Sequence, residues 1–167
     1  GTAVLAMAAA RIWPNPVLAS DIDEVAVDVA RSNVEANGLA GRVVCVEAAG
    51  FANPHLSEQA PFDLVLVDAP CSGSGTWRRN PSAKWNFQRS DLAALLAMQS
   101  QILSEAARMV APGGSLAYAT CSVLMRENAN QITDFTKAHP EWHCDLSRSF
   151  LPGPDGDGFF ISLLTRT

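Results

Sequence analysis

Two short turns carry cysteines at positions where a sheet enzyme would perform chemistry. The first thiol turn is residues 68–75 (Asp-Ala-Pro-Cys-Ser-Gly-Ser-Gly), and the second thiol turn is residues 119–122 (Ala-Thr-Cys-Ser). Each follows an apolar run that predicts a buried strand, so Cys71 and Cys121 should emerge at the carboxyl edge of one sheet, where open α/β sheets bind ligands. Two thiols beside the carboxylate of Asp68 predict covalent catalysis.

A free cysteine is also a common small core residue, and this alternative applies to each thiol. It fits Cys45 and Cys144 well, but it fits the two thiol turns less well because their cysteines follow strand ends and have polar neighbours. The four cysteines show no close paired spacing and no signal peptide precedes them, which favours free thiols in a reduced cytoplasmic compartment. Neither the cysteines nor the three histidines have the paired spacing of a zinc site, so we expect no metal.

Composition limits the class of protein. The chain has 167 residues, of which 48% are hydrophobic, and this is the size of one globular domain. Its apolar runs fall short of the roughly 20 residues that span a bilayer, so we expect a soluble protein without a membrane segment. The net charge of −5 argues against a wholly basic nucleic-acid-binding module, although a local basic patch is compatible with it.

Strand-like and helix-like segments alternate, which predicts an α/β fold with a doubly wound, mostly parallel sheet of the Rossmann-like type. Predicted helices cover residues 3–12, 24–37, 91–110 and 127–138, and predicted strands cover 17–20, 43–46, 64–67 and 115–119. Gly38 stands where a left-handed helix cap is expected. Apolar runs at 142–146 and 159–164, joined by a turn at 152–158, predict an antiparallel C-terminal edge. The long loop over 69–89 suggests function.

The chain begins as though inside a nucleotide-binding loop. Residues 1–5 (Gly-Thr-Ala-Val-Leu) are similar to the far end of a glycine-rich loop running into its helix, without the strand that should precede it. We therefore expect a single domain over residues 1–167 that is truncated at its N-terminus and lacks its first strand. Gly1 becomes a candidate for cofactor binding.

An acidic turn follows the strand predicted at residues 17–20. A carboxylate at such a strand end can accept hydrogen bonds from ribose hydroxyls, and Asp21 is the better placed candidate. The alternative is that Asp21 or Asp23 only caps the following helix, a position that favours Asp. The sequence leaves both interpretations open.

From about residue 62 to residue 167 the chain resembles the Sun family of RNA (cytosine-5) methyltransferases. The resemblance rests on a series of short motifs in order: residues 68–73 (DAPCSG), 78–81 (RRNP), Lys84-Trp85, Gln99, 112–114 (PGG), 118–122 (YATCS), Glu127-Asn128, 151–153 (LPG) and 157–160 (DGFF). It implies that Cys121 is the nucleophile, that Cys71 assists release of the covalent adduct, and that Asp68 contacts cofactor or cytosine. It also implies S-adenosylmethionine as methyl donor and RNA, ribosomal RNA in particular, as substrate.

The long loop interleaves aromatic and basic side chains in a way that suits RNA. Its members are Trp77, Arg78, Arg79, Lys84, Trp85, Phe87 and Arg89. With an RNA substrate they would supply base stacking and phosphate contacts, and Arg78 and Lys84 are the candidate substrate-binding residues. The alternative is a solvated basic surface with the aromatic rings turned into the core.

The first 61 residues differ from the rest. They resemble methyltransferases that modify a large-subunit ribosomal protein, notably in residues 16–23 (PVLASDID) and 47–51 (EAAGF). They lack the Gly-Gly-Lys of the cytosine-5 family's first loop, and Ala48-Ala49 stand where that family has an acid for adenine. We therefore hypothesise a chimera with a junction near residue 62. The alternative functions are a ribosomal protein methyltransferase or a non-catalytic fragment of the methyltransferase fold.

Overall fold

The computed structural model describes residues 2–51, 53–154 and 156–167, which divide into two compact units, Gly1–Gln59 and Ala60–Thr167. The predicted cofactor-binding residue Gly1 lies outside the described residues. Its role and the expectation of a single truncated domain both stay predictions.

The first unit alternates helices and strands. Its elements are α1 (Val4–Ile12), β1 (Val17–Asp21), α2 (Glu24–Ala36), β2 (Val43–Glu47) and the short α3 (Pro54–Ser57). Strands β1 and β2 are parallel, with Val17 opposite Val43 and Asp21 opposite Glu47. The small core of this unit is centred on Ala10, Val34 and Val43.

Local sequence explains α2 in detail. The Asp23 side chain accepts a hydrogen bond from the N–H of Val25 at 2.9 Å and caps the first turn. At the other end Gly38 has a φ of +68°, which confirms the predicted left-handed cap. Between these caps Val27 and Val34 lie on the buried face, at helical spacing.

The second unit contains a four-stranded sheet. Its elements are β3 (Phe62–Asp68), α4 (Pro81–Asn86), α5 (Arg89–Arg108), β4 (Val110–Thr120), α6 (Ala129–Ala138), β5 (Trp142–Phe150) and β6 (Phe159–Arg166), with 3₁₀ turns at Ser74–Thr76 and Met125–Glu127. The strand order is β3-β4-β6-β5. The β3–β4 pair is parallel and the other two pairs are antiparallel, which confirms the predicted antiparallel C-terminal edge.

The core of this unit lies along β4. Residues 116–120 of that strand are almost fully buried, as expected for a strand covered on both faces. Tyr118 meets Phe160 of β6 edge to face, with 6.4 Å between the ring centroids. Leu103 of α5 is also fully buried. This packing fixes the end of β4 from which the second thiol turn leaves.

Three boundaries differ from the predictions for local reasons. The loop over 69–89 contains α4, which begins at Pro81, a residue favoured at the first helical position, but is too short to show periodicity. Strand β4 begins at Val110 because the segment around Gly113, with a φ of +75°, is an irregularity within the strand. Helix α6 begins only at Ala129, since a 3₁₀ turn precedes it.

No helix among the described residues is long and apolar enough to cross a membrane.

Candidate active site

The register of β3 and β4 places the two thiol turns side by side. Asp68, the last residue of β3, lies opposite Ala119, and the N–H of Ala69 donates to the carbonyl of Ala119 at 2.9 Å. Because the strands are parallel, both turns leave the sheet at the same edge. The structure therefore brings together the residues that the sequence singled out, Asp68, Cys71 and Cys121.

The thiols of Cys71 and Cys121 lie 3.4 Å apart, sulfur to sulfur, and both residues are half-buried. This distance is too long for a disulfide bond, which needs about 2.05 Å, but suits a shared proton. The hydrogen bond from Cys71 lowers the pKa of Cys121 to about 7. The same bond, together with burial, raises the pKa of Cys71 well above its ordinary value. Cys121 is therefore the thiol of the pair that ionises near neutral pH, and Cys71 keeps its proton.

Asp68 stands at the end of β3 beside this pair. Partial burial of its carboxyl group raises its pKa. Its negative charge in turn raises the pKa of Cys121, as does that of Glu127, and both effects are smaller than the lowering by Cys71. The neighbouring carboxylates thus oppose ionisation of Cys121, so its thiolate depends on the second thiol.

Glu127 is a further component of the site, which the sequence indicates only as part of a motif. It is fully buried. Its Oε1 accepts hydrogen bonds from the N–H of Ser72 at 2.8 Å and from Nε2 of Gln99 at 3.1 Å, and its Oε2 accepts from the hydroxyls of Ser72 and Ser122, each at 2.5 Å. The available signal was an acid followed by an amide, Glu127-Asn128, shortly after the second thiol turn.

Further hydrogen bonds hold the backbone around Cys121 in place. The Asn128 amide donates to the carbonyl of Ser122 at 2.9 Å and accepts from the hydroxyl of Thr120 at 2.7 Å. The N–H of Gly75 donates to the carbonyl of Cys121 at 2.9 Å. Each residue flanking Cys121 therefore has a fixed hydrogen-bond partner.

Gly75 also joins the thiol turns to the loop that precedes β6. The N–H of Gly158 donates to the carbonyl of Gly75 at 2.9 Å. A Cβ on Gly75 would lie 2.2 Å from the carbonyl oxygen of Gly158, so only glycine permits this approach.

The side chains of the predicted substrate-binding loop fall into two groups, one bonded to other segments of the second unit and one exposed to solvent. Arg78 donates to the carbonyl of Gly153 at 2.7 Å, which ties it to the turn before β6. Lys84 lies on the surface of α4 with Nζ 5.6 Å from the ring centroid of Trp85, and Trp85 is 81% exposed. The indole of Trp77, by contrast, donates to the carbonyl of Ser72 at 3.2 Å. The roles of Arg78 and Lys84 stay predictions.

Arg79 and Asp157 reinforce the same connection. The Arg79 guanidinium lies 2.5 Å from a carboxylate oxygen of Asp157. This ion pair lowers the pKa of Asp157 and raises that of Arg79. The basic loop is therefore attached to the turn before β6 at two successive arginines.

In the first unit, Asp21 ends β1, and its Oδ1 accepts the N–H of Asp23 at 3.0 Å. Because Asp23 provides the helix cap, the capping role left open by the sequence falls to Asp23. A carboxylate at the carboxyl end of a parallel strand fits the ribose hydroxyls of a nucleoside cofactor. The residues after β2 are Ala48, which is buried, and Ala49, so they offer no carboxylate for an adenine ring.

The other cysteines lie in ordinary packing environments. All four cysteines are free thiols. Burial raises the pKa of Cys45, and the Cys144 thiol lies 3.4 Å from the hydroxyl of Ser162 in the β5–β6 pair. Among the described residues, no group of three or more His, Cys, Asp or Glu side chains could hold a metal ion.

The fold is of the Rossmann-like α/β class, and two thiols lie together at the carboxyl edge of the sheet in its second unit. The sequence profile of the family described as "16S rRNA methyltransferase RsmB/F" matches residues 7–165, and the chain belongs to this family. The profile spans the residues on both sides of position 62. It confirms the predicted Sun-family relationship, while the hypothesis of a chimera stays a prediction.

Individual relatives agree with this assignment. Ribosomal RNA small subunit methyltransferase B of Vibrio cholerae is 36% identical over 157 residues, which cover 90% of this chain and 36% of the relative. The crystal structure of the protein PH0851 matches with a TM-score of 0.81 and 30% identity, over 89% of this chain and 36% of that one. NSun6 from Pyrococcus horikoshii, solved with SFG, has a TM-score of 0.78 at 20% identity over 90% of this chain and 41% of that one, a likeness of fold alone. The chain thus spans little more than a third of the length of these relatives.

Proposed function

We propose that this chain is the catalytic part of an RNA methyltransferase that methylates carbon 5 of cytosine in ribosomal RNA, with S-adenosylmethionine as methyl donor. The observation that carries the proposal is the pair of thiols 3.4 Å apart whose pKa values are shifted in opposite directions. Membership of the RsmB/F family supports the RNA substrate and the transfer of a methyl group.

The reaction needs a nucleophile of this kind. Carbon 5 of cytosine is too weakly nucleophilic to take a methyl group unaided. When the Cys121 thiolate forms a bond to carbon 6, the electrons of the carbon 5–carbon 6 double bond make carbon 5 part of an electron-rich enamine. S-adenosylmethionine, when bound, supplies an electrophilic methyl group. A pKa of about 7 means that roughly half of Cys121 is ready to attack at neutral pH.

Cys71 is suited to the second half of the reaction. Its proton is retained largely because it is hydrogen-bonded to Cys121, and repulsion from the neighbouring negative charge adds to this effect. Once Cys121 is bonded to carbon 6 its charge is gone, so these two causes vanish. Burial and the charge of Glu127 still hold the pKa of Cys71 up, but the thiol loses its proton to solvent more easily than before. It can then accept the proton from carbon 5, and the electrons of that C–H bond restore the double bond as Cys121 leaves as a thiolate.

Other residues would bind the reactants. Asp21 would hold the ribose hydroxyls of the cofactor, and Asp68 would contact the cofactor or the cytosine. The target base must leave its stack to reach the thiols. Arg78 and Lys84 would then contact the RNA backbone, with exposed Trp85 available for stacking. A ribosomal RNA substrate and reduced thiols both support a cytoplasmic location.

A 5-fluorocytosine RNA tests this proposal. The chain is incubated with S-adenosylmethionine and an RNA carrying 5-fluorocytosine, and denaturing electrophoresis is used to detect a protein–RNA adduct. Fluorine replaces the proton that must leave carbon 5, so the covalent complex should persist. Cys121→Ala should abolish the adduct, whereas the control Cys144→Ala should retain it.

Two outcomes would refute the proposal. An adduct that survives in Cys121→Ala would assign the attack to another group. Absence of both adduct and cofactor binding in the unaltered chain would favour a non-catalytic fragment of the fold.

A further inference from the structure

Glu127 is a buried carboxylate whose position requires an explanation. Its hydrogen-bond donors, Ser72, Gln99 and Ser122, are all neutral. Taking a carboxylate out of water is unfavourable unless its surroundings compensate. A neutral side chain of the same size would avoid that cost, so the hydrogen bonds that Glu127 accepts must explain the choice of an acid.

The donors identify what the carboxylate holds. Ser72 directly follows Cys71, and Ser122 directly follows Cys121. One oxygen of Glu127, Oε2, accepts hydrogen bonds from both serine hydroxyls at 2.5 Å. A glutamine could not accept both bonds and also bind the Ser72 N–H, since one of its two terminal atoms is a donor. The acid therefore matches its surroundings, because every side-chain or backbone group bonded to its two oxygens is a donor.

Gln99, on helix α5, connects Glu127 to the first thiol turn as well. Its Nε2 donates to the carbonyl of Pro70 at 2.9 Å as well as to Glu127 at 3.1 Å. Pro70 precedes Cys71, so the first thiol turn is held on both sides of its cysteine. The only connection of the Glu127 carboxylate to Cys121 among these bonds runs through Ser122.

We propose that Glu127 is a positioning residue that holds Cys71 and Cys121 at hydrogen-bonding distance through Ser72 and Ser122. This inference rests on the proposed function, because it concerns the same pair of thiols. Glu127 does not touch the reacting atoms. It acts by keeping the two thiol turns in register, so that the Cys71 thiol donates to Cys121.

Two effects of Glu127 on Cys121 have opposite signs, which makes the proposal testable. The charge of Glu127 raises the pKa of Cys121, whereas the hydrogen bond from Cys71 lowers it. Cys71, Asp68 and Glu127 face Cys121, and Arg79 interacts with it electrostatically. If Glu127 acted only through its charge, Glu127→Gln would lower the pKa of Cys121. If Glu127 positions the thiols, Glu127→Gln should raise the pKa of Cys121.

The test measures the alkylation of Cys121 against pH. Cys45 and Cys144 are replaced by serine, iodoacetamide is the probe, and mass spectrometry of the Cys121 peptide gives the rate. We expect the midpoint of the rate profile to move up from about pH 7 by about one unit in Glu127→Gln. An unchanged or lowered midpoint would overturn the proposal. Neither RNA nor cofactor is present, so failure of this inference and failure of the proposed function are distinguishable.

Two further variants distinguish a positioning role of Glu127 from the general effect of removing a carboxylate. Glu105→Gln removes an α5 carboxylate that accepts a hydrogen bond from Gln101 at 2.8 Å, and it should leave the midpoint unchanged. If Glu127→Gln fails to fold, the double variant Ser72→Ala with Ser122→Ala keeps the charge but removes both hydroxyl links. It should also raise the midpoint, and a double variant with the midpoint of the unaltered protein would contradict the positioning role.

Discussion

Cys71 and Cys121 have the same side chain but opposite acid–base behaviour. The hydrogen bond between the two sulfur atoms lowers the pKa of Cys121 and raises that of Cys71, which corresponds to Cys71 as the donor and the Cys121 thiolate as the acceptor. Asp68 and Glu127 repel that thiolate, so the hydrogen bond is what keeps it available near pH 7. The distance of 3.4 Å between the sulfur atoms is therefore the central feature of the site.

Removing Cys71 should make Cys121 a weaker acid. In Cys71→Ala the pKa of Cys121 should return to at least its ordinary value of about 8.5, and alkylation by iodoacetamide at pH 7 should slow about tenfold. In the unaltered protein the pKa is lowered, so the thiolate is present above about pH 7 and is lost as the pH falls through that value. The pH profile of alkylation, followed by mass spectrometry, measures both midpoints.

Cys144→Ala is the control for this change, because Cys144 lies in the β5–β6 pair rather than beside Cys121. It should leave the Cys121 profile unaltered. Equal profiles for Cys71→Ala and the unaltered protein would contradict the proposed origin of the low pKa.

At the residue scale, the proximity of the two thiols could be predicted from the sequence, but the hydrogen bonds that hold their turns in place could not. Parallel strands align their carboxyl ends, so the proximity of Cys71 and Cys121 follows from the two apolar runs before them. The role of Glu127 depends on three donors from three separate segments, which meet only in the folded chain. The hydrogen bond from Arg78 to the carbonyl of Gly153, 75 residues away, likewise could not be predicted from the sequence.

At the scale of elements, the site depends on contact between turns. The first thiol turn bonds to the second through Gly75 and Cys121, and to the loop before β6 through Gly75 and Gly158. The approach of the two glycines is close enough to exclude any side chain on Gly75. These contacts join Gly75 to residues that lie 46 and 83 positions later in the sequence.

Gly75→Ala should therefore destabilise the protein strongly. Its Cβ would lie 2.2 Å from the Gly158 carbonyl oxygen, so backbone must move, and we expect a loss of about 3 kcal/mol in the free energy of unfolding. Urea unfolding followed by circular dichroism measures the change.

Gly153→Ala is the matched control, because a Cβ there meets no atom within 4 Å. It should change stability by less than about 1 kcal/mol. If the two variants unfolded at the same urea concentration, close packing at Gly75 would not be needed.

Elements with strong local signals were predictable, and short or irregular ones were not. Helix α2 combines an Asp cap, a buried face and a terminal glycine, so its limits followed from sequence. Helix α4 has six residues and lacks an amphipathic pattern, so it was predicted as loop. The start of β4 was placed too late because Pro112 and two glycines are typical of turns, whereas here they lie within an irregular part of the strand.

At the scale of the whole molecule, alternation of strands and helices predicted the α/β class and the two parallel pairs. The order β3-β4-β6-β5 inserts β6 between two earlier strands, and such long-range pairing is only weakly encoded in local sequence. The boundary between the compact units at residues 59 and 60 lies near the proposed junction at residue 62. The net charge of −5 coexists with a basic segment that includes Arg78, Arg79 and Lys84.

In the proposed reaction Cys121 attacks the cytosine and Cys71 releases it. The most direct test incubates the Cys71→Ala variant with S-adenosylmethionine and an RNA containing ordinary cytosine, and measures denaturation-resistant protein–RNA adduct by gel electrophoresis. Without Cys71 the attack can still occur but release is blocked, so adduct should accumulate in Cys71→Ala and disappear when Cys121→Ala is added. Accumulation in Cys121→Ala alone, with none in Cys71→Ala, would contradict the assignment.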